Sequence, residues 1–225
     1  TNINTSIDSV LLPTMSREQD DRARVKAMTR RSIQVSTYIM APLMIGLAFA
    51  GEPLVSLLLT DKWLPAVFFM RIFCISFMFY PIHTANLNAI KAMGRSDLFL
   101  RLEILKKAVG LTALVITMNI SVEAMAYSLL FTTVSSQMIN SWPNKKLLNY
   151  GYYEQLKDIM PNILLAVFMG AMIYFIKCAN LADILTFIIQ VIAGAVIYVV
   201  CSKMLKLASY EYLVESIKSM MNRSR

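Results

Sequence analysis

Long apolar runs, separated by short polar or basic segments, set the pattern of this chain. A helix that crosses a membrane needs about 20 consecutive, mainly apolar residues. Six runs approach or exceed that length: 34–59, 65–90, 101–118, 122–141, 160–177 and 183–202. Each run is apolar on nearly every side, whereas a soluble helix keeps a polar face. The pattern therefore predicts an all-α fold, a polytopic integral membrane helical bundle with about six full spans.

The first stretch, 1–15, is apolar but is interrupted by Asp8 and by several hydroxyl and amide side chains. We interpret it as the end of a further span whose beginning is missing. We therefore expect the chain to be a piece of a longer protein. Asp8 is a candidate cavity residue, together with Asn2 and Asn4.

The composition agrees with a membrane location. Hydrophobic residues make up 57% of the chain, charged residues only 16%, and the mean hydropathy is +0.56. Soluble domains carry about 25% charged residues. Because so few charges cannot cover a surface in water, the composition excludes an ordinary soluble domain.

Lysine and arginine alternate between the two sides of the predicted membrane. The segments 16–31, 91–107, 142–159 and 203–225 hold 6, 5, 3 and 5 of these residues. The connections between them hold only Lys62 and Lys177. Cytoplasmic loops carry an excess of basic residues, so we expect the basic segments and the C-terminus to lie in the cytoplasm. The net charge of +8 is then a topology signal, and no clustered basic and aromatic patch indicates nucleic-acid binding.

Three segments are expected at the cytoplasmic edge of the membrane. Segment 16–31 is predicted to form a short helix along the headgroups that leads into the first span. Segment 142–158 supplies the tryptophan and tyrosines of an interfacial belt. The tail 203–222 has apolar residues at roughly helical spacing. This spacing fits a helix on the membrane surface or a frayed, solvated tail.

Arg71 and Glu52 are ionisable residues inside apolar runs, where such groups are costly and usually face protein or water. Arg71 either attracts an anionic substrate through its guanidinium group or has a structural role, pairing or reaching the headgroups. Glu52 precedes Pro53, which removes a helix hydrogen bond. It is a proton or cation site, the partner of Arg71, or a hydrogen-bonded residue at a kink.

His83, Asn86 and Asn88 lie in the second predicted span. His83 is a candidate proton relay or an interhelical hydrogen-bonding residue. Asn86 lies one turn further on the same face, whereas Asn88 points elsewhere. Amides of this kind join membrane helices and also suit a cavity that holds sugars. All three residues are therefore candidate cavity residues.

The sequence contains no pattern typical of enzyme chemistry. It has no His-Glu-x-x-His, Gly-x-Ser-x-Gly or phosphate-cradling glycine loop. The three cysteines are widely spaced in apolar runs and form neither a disulfide framework nor a metal pattern. We therefore expect no catalytic residue, no metal and no cofactor.

Several short motifs resemble those of a known transporter family. They are 11–16 (LLPTMS), 24–31 (RVKAMTRR), 52–55 (EPLV), 62–65 (KWLP) and 87–97 (LNAIKAMGRSD). As a set they resemble Wzx-type lipopolysaccharide and O-antigen flippases of the multidrug/oligosaccharidyl-lipid/polysaccharide exporter superfamily. The resemblance covers most of the chain and is strongest over 8–160.

The resemblance implies a fold of two six-helix bundles around a cavity that opens alternately to each side. Residues 1–160 would be an incomplete C-terminal bundle, 161–203 two additional helices, and 204–225 a cytoplasmic tail. The implied activity is translocation of a lipid-linked oligosaccharide across the bacterial inner membrane. The implied partners are that substrate, membrane lipids, the missing N-terminal bundle and the polysaccharide assembly machinery.

Other functions stay open at this stage. A drug or small-solute exporter of the same superfamily would need an acidic cavity, for which the chain offers mainly Glu52 and Asp8. A membrane enzyme of glycan assembly, such as a polymerase or ligase, would need a large outer loop with several arginines. The predicted outer loops are only a few residues long. A purely structural membrane subunit is the remaining alternative.

Overall fold

The structure is a computed structural model that describes residues 12–176 and 182–223. Every regular element in these ranges is helical. The longer helices are α1 (Arg22–Phe49), α2 (Gly51–Leu59), α3 (Ala66–Met78), α4 (Tyr80–Ala92), α5 (Ser96–Thr117), α6 (Val122–Leu148), α7 (Tyr152–Tyr174), α8 (Asp183–Met204) and α9 (Ala208–Arg223). The stretch 1–15, interpreted above as the end of a span, lies largely outside the described residues, and Asp8 lies wholly outside them.

Helices long and apolar enough to cross a membrane are present at four places among the described residues. They are Arg22–Phe49, Ala66–Ala92, Tyr152–Tyr174 and Asp183–Met204. The chain is therefore an all-helical, polytopic membrane bundle, as predicted. Helices α5 and α6 have 22 and 27 residues, enough at about 1.5 Å per residue, but they are less apolar. The total of six spans stays a prediction.

Helix α1 starts earlier than the first apolar run. Asp21 caps it, because its carboxylate accepts hydrogen bonds from the backbone N–H groups of Ala23 and Arg24, each at 3.0 Å. The helix then continues without a break to Phe49. The prediction of a separate surface helix over 16–31 is therefore wrong for its larger part, which forms the first turns of the spanning helix.

Two of the predicted spans are broken near their middles or ends. The first predicted span breaks at Ala50. Helix α2 follows from Gly51, and Pro53 lies in its first turn. The second breaks at Phe79, just before Pro81 in the first turn of α4. A proline lacks the backbone N–H that would bond to the preceding turn. Each break therefore coincides with a missing helical hydrogen bond.

Helix α1 lies at the centre of the packing. It contacts α3, α4, α7, α8 and α9, and its most extensive contact is with α7. At Gly170 the two helices approach so closely that a β-carbon would lie 2.6 Å from the Ile45 side chain and 2.7 Å from the Phe49 ring. Close approach at small residues is typical of membrane helices. The predicted domain boundary at 160/161 lies inside α7, and the division itself stays a prediction.

Helices α5 and α8 lie at the periphery. In α5 only Leu102 and Lys106 are buried, and most large apolar residues of both helices are exposed. An apolar outer surface of this kind is what a bilayer requires.

The basic segments meet at one end of the bundle, which we call the basic end. Here the first turns of α1 contact the α6–α7 turn, where Lys26 Nζ donates to the Asn149 carbonyl at 2.5 Å. Arg31 also lies over the ring of Tyr212 in α9, at 4.0 Å. The tail is thus helical over Ala208–Arg223 and packs against α1. The second turn of α2 meets the start of α8 at the opposite end, where Ser56 Oγ lies 2.8 Å from an oxygen of Asp183.

Candidate functional site

Asn86 is the centre of a buried polar network that joins three helices. Its Nδ2 donates to Gln155 Oε1 at 2.7 Å and to Ser141 Oγ at 3.2 Å. Its Oδ1 accepts from Asn144 Nδ2 at 2.6 Å and from Gln155 Nε2 at 2.9 Å. Asn86, Asn144 and Gln155 are each fully buried. The geometry therefore gives Asn86 a role in joining α4 to α6 and α7.

A cavity of about 240 Å³ lies next to this network, between the α3–α4 junction and α6. The cavity lies about halfway along the α3–α4 stretch and about halfway along α6. Its lining is formed by Ser76, Phe77, Phe79, Tyr80, His83, Leu129, Thr132, Thr133, Ser136 and Gln137. We call this space the central cavity. Its lining combines hydroxyl, amide and aromatic groups, and no lysine, arginine or carboxylate from the described part of the chain belongs to it.

Two polar groups of the central cavity are buried without a hydrogen-bond partner in the described part of the chain. They are Ser76 Oγ and Gln137 Nε2. The other amide atom of Gln137, Oε1, accepts from the Tyr152 hydroxyl at 3.1 Å. A buried polar group that lacks a partner costs about 1–3 kcal/mol. Such groups are therefore expected to bind water or a polar ligand.

His83 lies at the edge of the central cavity. Its Nδ1 is 2.8 Å from Nδ2 of Asn140, and its ring stacks on Tyr80 with centroids 5.5 Å apart. A hydrogen bond between α4 and α6 was one of the two interpretations of this histidine, and the structure contains it. Asn88 is buried on α4 and is not among the residues that line the cavity.

Arg71 and Glu52 form an ion pair at the opposite end of the bundle. Arg71 Nη2 is 2.9 Å from Glu52 Oε1, and Arg71 Nε donates to the Ala48 carbonyl at 3.1 Å. Ala48 is in the last turn of α1, whose final carbonyls have no partner within their helix. Arg71 therefore stabilises the break between α1 and α2, and Glu52 is its partner, one of the roles considered from the sequence.

Lys106 is buried within α5 and pairs with Glu103, with Nζ and Oε1 2.5 Å apart. The basic segment 91–107 is thus not a loop, since α5 begins at Ser96 and Lys106 lies almost three turns inside it. Both side chains are close enough to His83 to interact with it electrostatically. The ion pair of Lys106 and Glu103 therefore lies near His83 at the central cavity. The sequence suggested only a basic surface for this segment.

The basic end holds a second cluster. Arg30 bonds to Asp158 Oδ2 and to Glu154 Oε1, each at 2.6 Å. The hydroxyl of the buried Tyr150 donates to Asp158 at 2.7 Å. Burial and the nearby Asp158 carboxylate raise the pKa of Tyr150, so its hydroxyl stays a donor. Lys26 also approaches Glu154, at 3.4 Å, so this cluster fastens α1 to α7.

The polar face of α6 was not predicted from the sequence. Thr133, Gln137, Asn140 and Asn144 follow one another at intervals of three or four residues, which places them on one side of a helix. This spacing was a usable signal, but the apolar residues between them masked it. In the described ranges, no group of three or more histidine, cysteine or acidic residues could hold a metal.

Comparisons with known proteins agree with the membrane fold. A family described as "Polysaccharide biosynthesis protein" matches residues 1–68. An "Uncharacterized membrane protein in cps region" of Klebsiella pneumoniae is 27% identical over 100 residues, which are 44% of this chain and 21% of that protein. The chain thus spans about a fifth of the length of this relative. No solved structure gives a significant match.

Proposed function

We propose that this chain forms part of a flippase that moves a lipid-linked oligosaccharide across the bacterial inner membrane. The observation that carries the proposal is the central cavity, where the unpartnered buried groups of Ser76 and Gln137 lie halfway along membrane helices. Polar groups in such a place are costly and are typical of substrate pathways. A hydrophilic cargo needs such a pathway to cross the bilayer.

The comparisons support a role in polysaccharide biosynthesis or export. The matching family is described by polysaccharide biosynthesis, and the name of the bacterial relative describes a membrane protein in a cps region. The family resemblance of the sequence motifs points the same way and adds the flippase activity, the inner membrane and a second helical bundle upstream.

In this proposal the helix break at Phe79, about halfway along the α3–α4 stretch, serves as a hinge for alternating access. Discontinuous helices near the bilayer centre are typical of transporters, and hinges are a few residues at the ends of helices. The break at Phe79 lines the central cavity. Motion at this break would therefore change the cavity directly. In the proposed orientation the basic end faces the cytoplasm.

Two structural observations weigh against the other functions. A drug exporter with a cationic cargo needs an acidic cavity, but no carboxylate in the described ranges lines the central cavity, and Glu52 pairs with Arg71. A glycan polymerase or ligase needs room for outer catalytic loops, but the connection from α5 to α6 is only residues 118–121. We therefore propose a transporter without enzymatic activity, working with membrane lipids and polysaccharide assembly proteins.

The test is deletion of the complete reading frame that contains this chain, in the bacterium that carries it. We expect loss of a surface polysaccharide and accumulation of its lipid-linked precursor on the cytoplasmic face of the inner membrane. Complementation with the complete wild-type frame is the control. Normal polysaccharide with a changed susceptibility to cationic drugs would instead favour the exporter alternative and contradict the proposal.

A further inference from the structure

A groove of about 530 Å³ lies along α1 at the basic end, outside the central cavity. We call it the basic groove. Its lining includes three basic side chains and an amide, those of Lys26, Arg30, Arg31 and Gln34, and no carboxylate of the described residues belongs to it. Gln34 is the first residue of the first apolar run. The basic groove therefore presents positive charge where the chain enters the bilayer, at the level of the lipid headgroups.

The three basic side chains differ in how their charge is balanced. Lys26 and Arg30 pair with carboxylates of α7. Arg31 pairs with no carboxylate in the described ranges, and its guanidinium lies over the Tyr212 ring, 4.0 Å from the centroid. Stacking uses the flat face of a guanidinium and leaves the N–H donors at its edge. Arg31 therefore offers an unbalanced charge that the tail helix α9 holds beside the groove.

A second groove, of about 590 Å³, lies between α7 and the end of α8. We call it the apolar groove, because its lining is made of large apolar side chains. Leu164, Phe168, Met204 and Leu205 are among them, and each is 51–76% exposed. An exposed apolar groove on a membrane helix is a surface that lipid chains contact.

A polar contact among three helices places the two grooves next to each other. Asn162 Nδ2 donates to the Gln34 carbonyl at 3.0 Å and to Ser209 Oγ at 3.2 Å. Gln34 lines the basic groove, and Pro161, the residue before Asn162, lines the apolar one. Leu207, two residues before Ser209, lines the apolar groove as well. A charged space and an apolar space therefore adjoin at the basic end.

We infer that the two grooves bind one anionic phospholipid from the leaflet at the basic end, with its phosphate at Arg31 and an acyl chain in the apolar groove. This site goes beyond the proposed function and lies outside the proposed substrate pathway. Basic pockets between membrane helices bind anionic headgroups, and an arginine can hold a phosphate through two N–H groups. A free phosphate would leave the apolar groove empty, whereas a phospholipid occupies both grooves.

The experiment measures lipid binding to the purified protein from its complete reading frame by native mass spectrometry. The probes are dioleoyl phosphatidylglycerol and dioleoyl phosphatidylcholine, which share their chains and differ in net charge, with inorganic phosphate as competitor. The headgroup variants are Arg31→Gln and Arg31→Lys. Their matched control is Arg22→Gln, because Arg22 is exposed on the same helix and lies outside the groove lining.

The apolar groove has a matched pair of its own. Leu164→Ala shortens a side chain that lines the groove, whereas Ile192→Ala shortens one of similar exposure on α8 outside it. Leu164→Ala should raise the Kd for phosphatidylglycerol about two- to fivefold through lost apolar contact. Ile192→Ala should leave the Kd unchanged.

We expect phosphatidylglycerol to bind about three- to tenfold more tightly than phosphatidylcholine, and Arg31→Gln to remove most of this difference. Arg31→Lys gives a smaller loss, because lysine keeps the charge but lacks the planar fork. Arg22→Gln leaves the Kd unchanged, and inorganic phosphate does not displace the lipid.

Four outcomes overturn the inference. Equal affinity for the two phospholipids would remove the recognition of charge. Equal effects of Arg31→Gln and Arg22→Gln, or of Leu164→Ala and Ile192→Ala, would show diffuse attraction to the surface without a site. Displacement by inorganic phosphate would show a free-phosphate site. Displacement by a polyprenyl pyrophosphate at a far lower concentration would assign the grooves to the proposed cargo.

Discussion

Arg71 and Glu52 bond to each other at 2.9 Å across the connection between α2 and α3. The side chains of Arg71 and Glu52 are 42% and 34% exposed, so solvent screens the pair. Exposed pairs contribute about 0.2–1 kcal/mol. The contact with the Ala48 carbonyl adds a second structural function to Arg71. Its role in the structure is to hold the end of α1 against α3.

A charge swap tests this role against substrate binding. Arg71→Glu alone places two carboxylates together, and we expect a lower Tm and a lower protein level in the membrane. Adding Glu52→Arg restores the pair, and we expect most of the Tm and of polysaccharide export to return. If export stays lost while the Tm recovers, Arg71 binds the anionic part of the substrate instead.

The Asn86 network is expected to contribute strongly to stability. Asn86→Ala removes four hydrogen bonds between its side chain and Ser141, Asn144 and Gln155, although Asn144 Nδ2 and Gln155 Nε2 keep bonds to backbone carbonyls. A hydrogen bond contributes about 0.5–1.5 kcal/mol, so we expect a loss of about 2 kcal/mol or more in unfolding free energy. Thr84→Ala is the control on the same helix, because its hydroxyl bonds only to the local Pro81 carbonyl, at 3.3 Å. Equal effects on thermal unfolding of the two purified variants would contradict the network.

Two glycines offer a matched test of the contact between α1 and α7. A β-carbon at Gly170 would overlap the Ile45 and Phe49 side chains, whereas one at Gly110 would meet nothing within 4 Å. We expect Gly170→Ala to destabilise the protein by about 1–3 kcal/mol through overpacking. Gly110→Ala should be neutral or stabilising by up to about 1 kcal/mol, from helix propensity. Thermal unfolding of both variants measures the difference, and equal Tm values would contradict the close approach.

The predicted orientation is testable by cysteine labelling. Lys62 and Lys145 are both exposed and lie in segments predicted on opposite sides of the membrane. In a background without native cysteines, Lys62→Cys should react with an impermeant maleimide in intact spheroplasts. Lys145→Cys should react only after the inner membrane is permeabilised. Labelling of both positions from the same side would show that the charge-based orientation is wrong.

The helical fold was predictable because its signal is local. Four of the six apolar runs coincide with helices long and apolar enough to cross a bilayer. The two helix breaks lie close to Pro53 and Pro81, although Pro42, Pro143 and Pro161 lie within continuous helices. Counting lysine and arginine along the sequence misplaced Lys106, because the count assigns this residue to a basic cytoplasmic segment. In the structure it is buried against Glu103, because an i, i+3 neighbour can neutralise a lysine inside a helix.

The candidate site was predictable only in part. Arg71, Glu52, His83 and Asn86 stand out because polar residues are rare in apolar runs. Their partners could not be assigned in the same way. Gln155 lies 69 residues from Asn86, and Asp158 lies 128 residues from Arg30. Such contacts depend on which helices become neighbours, and nothing local in the chain encodes that choice.

The sequence by itself determined that this protein is a membrane bundle, roughly where its most apolar helices lie and which of their residues are polar. Those properties follow from length, hydropathy and proline positions, which act within one helix. The tertiary structure alone decided that Asn86 joins helices, that Arg71 pairs with Glu52 and that Gln137 and Ser76 face a cavity. The physical reason is that hydrogen bonds and cavities form between helices, so they exist only once the helices have packed.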